Sequence, residues 1–595
     1  TGTAKGMGGD VTVTLTLTDG KITGCTAEGK DETPGIGTMA LEQLPGAIAE
    51  SGSIAVDGVA TATITSDAIK EAAAAALTAA GLNADDYKTA VEAENTKAED
   101  STIDADVAIV GAGGAGMTAA ITAAAEGKSV VILESQPMVG GNSVRATGGM
   151  NAGKTVYQDE NEFGESAGVE KTLKTAAEKY ADNETITALA KTVSEQWAAY
   201  QADPKGYFDS VELMELDTMI GGKGLNNPEL VETLCSNSAD AIDWLDEHGI
   251  TLHSVSSFGG ASVKRIHRPV DGDGKTVSVG SYMIPLLQEN CDKAGVQTLL
   301  NTTATEILTD ANGAAVGVKA TGASGETVTV NAKAVVLATG GFGANLDMVV
   351  EYKPELKGFM TTNAAGAQGQ GIEMATAIGA DTVDMDQIQI HPTVEANTAA
   401  LITEGLRGDG AVLINAEGKR FIDEVGTRDV VSAAEIAQTG SYSWLVVDQA
   451  MVDASSVIQG YIKKGYTVTG ETYEELGKAM GVDEAAFAET MNTWNGYVEA
   501  KNDPDFGRTS FANPLNTAPY YAIKVTAGVH HTMGGLKINT NTEVLKADGS
   551  VIPGLFAAGE VTGGVHGANR LGGNAVADFT VFGRIAGAAA SKYAA

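Results

Sequence analysis

Residues 11–17 read Val-Thr-Val-Thr-Leu-Thr-Leu, the every-second-position alternation of a half-exposed strand. Asp19-Gly20 is a turn dipeptide, and Lys21-Ile22-Thr23-Gly24-Cys25-Thr26-Ala27 returns, so a β-hairpin is predicted. After Val56-Asp57-Gly58-Val59-Ala60-Thr61-Ala62-Thr63-Ile64-Thr65-Ser66, Ser66 or Asp67 can cap an alanine-rich helix running to about Ala80, which Gly81-Leu82-Asn83 ends. Residues 1–82 thus read as a small α+β domain. Residues 83–103 hold many acids without a sustained period and read as a solvated linker.

The period then changes. The short apolar run Val107-Ala108-Ile109-Val110 meets Gly111-Ala112-Gly113-Gly114-Ala115-Gly116 and a stretch of helix composition. A strand, a Gly-x-Gly-x-x-Gly turn and a helix make the phosphate-binding unit of a dinucleotide fold. Gly111 permits the tight turn, Gly113 lets backbone approach a pyrophosphate, and Gly116 lets helix and strand pack closely. A second apolar strand, Val130-Val131-Ile132-Leu133, ends in Glu134, placed to accept a hydrogen bond from a ribose hydroxyl. Gly140-Gly141-Asn142-Ser143 and Thr147-Gly148-Gly149-Met150-Asn151 give backbone that can lie flat against a ring. Residues 170–250 have helical spacing, with one helix predicted from Glu229 to His248. Ala334-Val335-Val336-Leu337-Ala338 meets Thr339-Gly340-Gly341-Phe342-Gly343, a second glycine turn after a strand.

Length makes several domains necessary, since 595 residues exceed a single core. With 39 Lys plus Arg against 77 Asp plus Glu, the net charge of −38 argues against nucleic acid or an anionic membrane as partner. An anionic substrate would then require the few cations to converge. The 3 cysteines, Cys25, Cys235 and Cys291, form no Cys-x-x-Cys, which argues against iron–sulfur clusters, c-type haem and zinc ribbons. No metal site is expected, and no apolar run is long enough to span a membrane. The sequence begins Thr-Gly-Thr, which reads as a processed or trimmed form.

Two resemblances sharpen this reading. Asp57-Gly58-Val59-Ala60-Thr61-Ala62-Thr63 resembles the flavinylation motif of FMN-binding domains, and Glu32-Thr33-Pro34-Gly35-Ile36-Gly37 resembles their glycine-rich segment. The resemblance implies covalent FMN on Thr63; the alternative is that Thr61, Thr63 and Thr65 form one face of a strand. The region from about 105 to 590 resembles the soluble flavoprotein fumarate reductase family, whose members also reduce urocanate and other acrylates. It does so through His391-Pro392-Thr393, Thr403-Glu404-Gly405-Leu406-Arg407-Gly408, Thr427-Arg428-Asp429, Gly528-Val529-His530-His531-Thr532-Met533-Gly534-Gly535 and the run Ala558 to Asn574. The implied architecture is α/β: a discontinuous Rossmann-like FAD-binding domain over 104–384 and 531–595, with an α+β clamp over 385–530. Implied non-covalent FAD contacts are Glu134, Gly141, Asn142, Thr147, Gly148, His531, Glu560, Ala575 and Val576, beside Gly111, Gly113, Gly116 and Gly340. One departure is Gln368-Gly369-Gln370-Gly371, where the family carries Thr-Gly-Asp-Gly.

Reducing an activated alkene needs a hydride donor, a proton donor and a grip on the attached carboxylate. Flavin N5 is the hydride donor. The resemblance gives the proton to Arg428, resupplied through Glu404 and Arg407. This role stands against the usual permanence of the guanidinium charge. Arg570 and His530 would hold one carboxylate, His391 and Thr403 the other, with Glu404, Gly148 and Gly573 bordering the substrate. A structural ion pair of Arg428 with Asp429, Glu424 or Glu404 is the plainer reading. The favoured function is fumarate reduction to succinate, with FMN relaying electrons from an unidentified donor to FAD. Leu401 stands where fumarate enzymes tend to have Met, which keeps urocanate, acrylate or cinnamate-type substrates open, although His391 argues against urocanate. An electron-transfer flavoprotein without substrate turnover is the alternative of another class. An extracytoplasmic location follows from the implied flavin attachment.

Overall fold

The protein is described here by a computed structural model covering every residue except 19, 33–36, 57, 60, 61 and 89–97, with the side chains of residues 50 and 63 also undescribed. Asp19 of the turn, residues 33–36 of the glycine-rich segment, and Asp57, Ala60 and Thr61 of the flavinylation motif therefore lie outside the described residues. The chain divides into two compact units, residues 1–101 with 322–327, and residues 102–321 with 328–595.

The first unit is α+β. Strands β1 (Gly2–Lys5), β2 (Asp10–Thr18) and β3 (Lys21–Glu28) form an antiparallel sheet in the order β1-β2-β3. The alternation in β2 turns Val11 and Val13 into the core, where α1 (Gly37–Ser51) lays Ala40, Leu44 and Ile48 and α2 (Thr63–Ala79) lays Ile69, Ala72, Ala73 and Leu77. Those α2 positions follow the helical period of the alanine-rich run. The helix starts earlier than the Ser66 or Asp67 cap expected from sequence. Ser66 instead accepts the backbone N–H of Val59 (3.0 Å), and Thr65 donates to buried Glu32 (2.7 Å). Both hydroxyls tie the preceding loops to the helix, and Thr63 and Thr65 belong to its first turn rather than to a strand. Of the stretch read as linker, Ala84–Tyr87 forms a 3₁₀ turn whose Tyr87 carbonyl accepts from Ile54 (2.8 Å), and a strand begins at Ser101.

The second unit is built on an eight-stranded sheet. Its centre is β4 (Ser101–Val110), α3 (Gly114–Ala125) and β5 (Val130–Leu133), the strand–turn–helix–strand read from the glycine pattern. β4 and β5 pair in parallel, Val107 with Val130 through Val110 with Leu133. β6 (Gln297–Leu299), β7 (Thr303–Thr309), β8 (Ala315–Thr321) and β9 (Thr327–Leu337) complete the path β7-β8-β9-β4-β5-β6. The four buried β5 residues fit a strand covered on both faces. The region 170–250 is helical, but the helix expected from Glu229 to His248 is two, Pro228–Ser236 and Ser238–Glu247. The break is polar: Asn237 Nδ2 donates to the Thr233 carbonyl and Ser238 Oγ to that of Cys235.

A second sheet carries the segment 385–530. It comprises β10 (Ile388–Glu395), β11 (Val412–Ile414), β12 (Tyr442–Asp448), β13 (Thr467–Gly470) and β14 (Tyr520–Thr532), ordered β10-β14-β12-β11 with β13 also on β14. Between its strands lie the short helix α4 (Gly405–Gly408) and α5 (Arg428–Ile436). The chain then returns through β15 (Val551–Ala557), parallel to β9, to α6 (Asn574–Tyr593), which packs on α3.

Gly116 is the tightest joint of this core: a Cβ there would lie 1.9 Å from the carbonyl oxygen of Gly111. We expect Gly116→Ala to cost about 3 kcal/mol or more and to lower bound FAD, read by thermal unfolding and flavin absorbance. Gly460→Ala, in a helix with open space around it, is the control and should raise stability by about 0.5–1 kcal/mol.

Candidate active site

One cavity runs from the glycine turns of the large sheet to the second sheet. At its dinucleotide end it is lined by Gly111, Gly113, Glu134, Gly141, Asn142, Thr147, Gly148 and Gly340. Gly111 has φ +104, and its Cβ would meet the Ala338 carbonyl at 2.3 Å, so the turn itself requires glycine. Gly113 differs: the nearest atom to a Cβ there is 3.6 Å away, so packing of the protein does not explain the glycine, whereas a bound phosphate would. Gly113 caps α3 without a side-chain hydrogen bond, and Gly573 (φ +86) caps α6 in the same way, with Ala575 and Val576 lining the cavity. Two helix N-termini thus open onto one space, the first N–H of each held by Ser143 Oγ (Gly114, 3.1 Å) and by the Leu571 carbonyl (Asn574, 3.1 Å), and their positive ends are a setting for a pyrophosphate and for negative charge on a reduced ring. Glu134 accepts from the N–H of Ala112 (2.8 Å) and of Gln136 (2.9 Å), which fixes the carboxylate for a ribose. Burial raises its pKa, against those hydrogen bonds. These residues fit FAD. Gly116 is the one glycine of the triad outside the lining, spent on helix–strand packing.

Glu560 and His531 also line the cavity. Glu560 accepts from the Thr532 N–H (2.9 Å), and burial raises its pKa. Asn142 bridges Asn363 and the Ala364 N–H, both at 2.6 Å, and Asn363 Nδ2 donates to the carbonyl of His530 (2.9 Å). The ring-binding end is therefore tied to the histidine pair. Gln370 of the departing motif lines the cavity too, as the first residue of the helix Gln370–Ala377, whose N-cap Gly369 has φ +85.

At the other end the cavity meets His391, Glu404, Arg428, His530, Arg570 and Gly573. Arg428 opens α5, and its Nε and Nη2 donate to Glu404 Oε2 at 2.8 and 2.6 Å. Its Nη1 donates to Gln389 Oε1 (2.9 Å). Arg407 Nη2 lies 3.0 Å from Glu404 Oε1, yet poor alignment leaves both atoms without a hydrogen bond. The carboxylate is walled by backbone: a Cβ on Gly259 or Gly572 would come within 2.4 Å of its oxygens. Burial pushes the Glu404 pKa up, but the guanidiniums of Arg428 and Arg407 outweigh it and hold the group below the usual range. Arg570 is 3% exposed, with Nη1 on the Leu571 carbonyl (3.0 Å) and Nε unpaired. Burial, then the neighbouring Arg428, lowers its pKa to about 9. A buried guanidinium with spare donors facing a cavity is a site for an anion.

His391 Nδ1 accepts the Thr393 N–H (3.1 Å), so the neutral ring carries its proton on Nε2. His530 Nδ1 is 2.7 Å from Thr362 Oγ1, and the two rings meet edge to face at 4.9 Å. Burial first, then Arg428, holds both histidines well below pKa 6.5. Burial and Arg570 do the same to His531. Thr403 and Arg407 are fully buried but do not line the cavity. Thr403 Oγ1 accepts from the Gly405 N–H (3.2 Å) and its own N–H goes to Tyr461 (3.0 Å), so it shapes α4. His248, His253 and His267 are occupied elsewhere, by the Trp244 carbonyl, Asp246 and Thr155. His566 pairs with Asp578 (2.8 Å).

Sequence reading missed Gln389, which donates to Asn569 Oδ1 and to the Arg570 carbonyl, both at 2.7 Å. It couples the Arg428 guanidinium to the loop bearing Arg570. The available signal was a polar residue in the apolar run Ile388-Gln389-Ile390, on the same strand face as His391.

Comparison with known proteins agrees with this geometry. The model of the FAD binding domain matches residues 106–203 and 196–576, and that of the FMN-binding domain matches residues 6–78. The chain belongs to the fumarate reductase-like flavoproteins, a family of FAD-dependent oxidoreductases. This flavoprotein is 41% identical over 94% of its length to an NADH:fumarate oxidoreductase of Klebsiella pneumoniae, and spans 54% of that relative. It is 36% identical to a urocanate reductase of Eggerthella lenta, covering 100% of the chain and 92% of the relative. Its structure resembles the open conformation of a flavocytochrome c3 fumarate reductase, with TM-score 0.62 and 38% identity over 83% of this chain and 79% of that one. Among the described residues no helix is long and apolar enough to cross a membrane, and no cluster suits a metal ion.

The neutral histidines make a dianion's affinity pH-dependent. A bound dianion favours imidazolium and raises both pKa values from below 6.5, so binding takes up protons. Affinity for a saturated dicarboxylate should rise as pH falls from 8 to 6, by at most about tenfold per unit for each proton taken up. Calorimetry in buffers of different ionisation enthalpy measures the uptake; none at pH 6–7 would mean the imidazoles do not face the ligand.

Proposed function

We propose that the flavoprotein reduces fumarate to succinate. The observation that supports this reading best is the charge of the site: Arg428 and Arg407 pair with the carboxylate of Glu404 and Arg570 stands in the same field, at the end of a cavity whose other end the glycine turns line. FAD, when bound, supplies the hydride, and FMN, when bound, supplies it with electrons. Arg570 and His530 hold one carboxylate of the substrate, and His391 the other. Held at both ends, the alkene presents one carbon to the ring and the other to an Arg428 N–H. Arg428 gives that carbon a proton, and Glu404 and Arg407 restore it. Glu404 is 2% exposed, with the backbone of Gly259 and Gly572 against its oxygens, so the returning proton comes through Arg407. The segment 385–530 acts as the clamp over FAD-binding parts 104–384 and 531–595, with 83–103 joining them to the FMN-binding domain.

Thr63 is the attachment point of FMN in this reading. Its backbone stands in the first turn of α2, whose N-cap, Ala62, offers no side-chain acceptor to the free N–H groups. A phosphoester at that position meets the positive end of a 17-residue helix. An attachment of this kind supports an extracytoplasmic location. The electron donor is a separate redox partner.

One observation favours a second reading. Leu401 lines the cavity beside His391 and presents apolar surface, which suits an acrylate carrying an apolar group at its other end.

Anaerobic turnover with reduced viologen dye separates the two: fumarate should exceed acrylate, urocanate and cinnamate in kcat/KM. Arg428→Ala should lower kcat by at least about 10³-fold while the Kd for succinate changes less than about tenfold. Full activity of that variant would leave an electron-transfer flavoprotein, or another proton donor, as the reading. Thr63→Ala should remove FMN from the intact mass and leave FAD in place.

A further inference from the structure

Seven residues beyond Arg428, on the same buried face of α5 as Arg428, Val431 and Ser432, lies Glu435. It is 0% exposed, has no salt-bridge partner among the described residues, and leaves Oε2 without a hydrogen bond. Ser443 of β12 donates to its Oε1, while the guanidinium of Arg407 of α4 lies beyond ion-pair distance and acts on it by charge, so a proton passes between them only when the two side chains close that gap. Arg407 is itself 0% exposed, with Nη1 on the Glu424 carbonyl (2.6 Å) and with Nε and Nη2 unpaired. A relay ending at Arg407 therefore ends inside the protein. Glu435 and Arg407 act on each other's charge, and α5 ends at the surface one residue later, where Ile436 is 37% exposed.

We propose that Glu435 is the proton carrier behind Arg407, handing on from its buried carboxyl the proton that each reduction draws out through Arg428. This rests on the alkene-reductase reading of the site. In each turnover an Arg428 N–H bond breaks as the C–H bond forms. Glu404 returns a proton to Arg428, and an Arg407 N–H replaces it on Glu404. The Glu435 O–H bond breaks to restore Arg407. Glu435 is left as carboxylate and takes a proton from solvent. One proton moves in each step, and no electrons do.

Geometry and chemistry agree. Burial pushes the Glu435 pKa up to about 8, against the Ser443 hydrogen bond and the charge of Arg407, so the carboxyl is a loaded acid at neutral pH. It loses its proton, and its use, as pH rises through that value. The holoenzyme should show a falling alkaline limb in kcat near pH 8. In Glu435→Gln that limb should vanish, kcat at pH 7 should drop about tenfold, and KM for fumarate should stay within about twofold of wild type. Glu435→Asp should recover part of kcat. Ser443→Ala removes a hydrogen bond that favours the carboxylate, so it should move the limb to higher pH. Infrared difference spectra should contain a buried carboxylic acid at pH 7 that ionises on this titration and is absent from Glu435→Gln. A wild-type pH profile and solvent isotope effect in Glu435→Gln, or no such acid in the spectrum, overturns the proposal. Absence of turnover of any unsaturated acid by wild type overturns instead the function on which it rests.

Discussion

Glu404 is the one carboxylate on which Arg428 and Arg407 converge, almost fully buried at the end of the cavity. An ion pair in such a place is not a simple gain, because desolvating each charge costs several kcal/mol. What it does is hold geometry. Arg428 is gripped on two nitrogens by Glu404 and on a third by Gln389, which leaves little choice about where its remaining N–H points. The plainer reading of Arg428, a structural ion pair, and the functional one are therefore the same contact: the pair that orients the guanidinium is also the connection through which a proton can return.

That arrangement depends on a second buried network. Arg508 donates to the Arg407 carbonyl (2.7 Å) and to Glu424 (3.1 Å), Glu424 also holds Arg420 (2.7 Å), and Arg420 stacks over Trp494 at 4.1 Å. Asp503 takes Arg420 as well (3.0 Å), so two arginines meet two carboxylates, charge is matched, and the network is rigid scaffold. Around the cavity it is not matched. Glu560 and Glu435 are pushed toward their neutral forms by burial, Asp578 is taken by His566, and of these carboxylates Glu404 is the one in ion-pair distance of Arg407 and Arg428, with Arg570 also in its field. The excess is positive, and it sits where the ligand goes.

The nucleotide half of the site was legible because its constraints are local. Gly111, Gly113 and Gly116 act within a single turn, and Glu134 lies at the end of the next strand, so spacing alone carried them. The helix Pro228–Ser236 was less legible, since a polar break at Asn237 leaves the apolar period almost intact. The start of α2 was misplaced because Ser66, a good cap in isolation, is used by Val59. Proximity in space could not be read at all. Gln389, Glu404, Arg428 and Arg570 come from β10, the start of α4, α5 and the loop before α6, and nothing short of tertiary structure says that their side chains share one carboxylate or one carbonyl. Resemblance named three of them; it gave no reason to name Gln389, which touches Arg428 and the Arg570 carbonyl from behind, or Glu435, which acts on Arg407 by charge.

The acidity of the chain bears on how the site works. A net charge of −38 repels a dicarboxylate at long range, but salt screens that field over about 8 Å at physiological ionic strength. Inside the cavity screening is absent and the local excess of guanidinium dominates. The global charge therefore acts on the rate of encounter, the buried charge on the hold. In the proposed reading the hold depends on desolvation: a dicarboxylate that leaves water exchanges the weak repulsion outside for the Arg570 guanidinium at one end and the His391 imidazole N–H at the other. A monoacid that meets Arg570 leaves the neutral His391 donor without an acceptor, and one that meets only His391 leaves the Arg570 guanidinium buried without a partner, an arrangement that costs several kcal/mol. In a protein of this charge, discrimination by carboxylate count can thus come from the donor left unmatched, guanidinium or imidazole, rather than from the shape of the pocket.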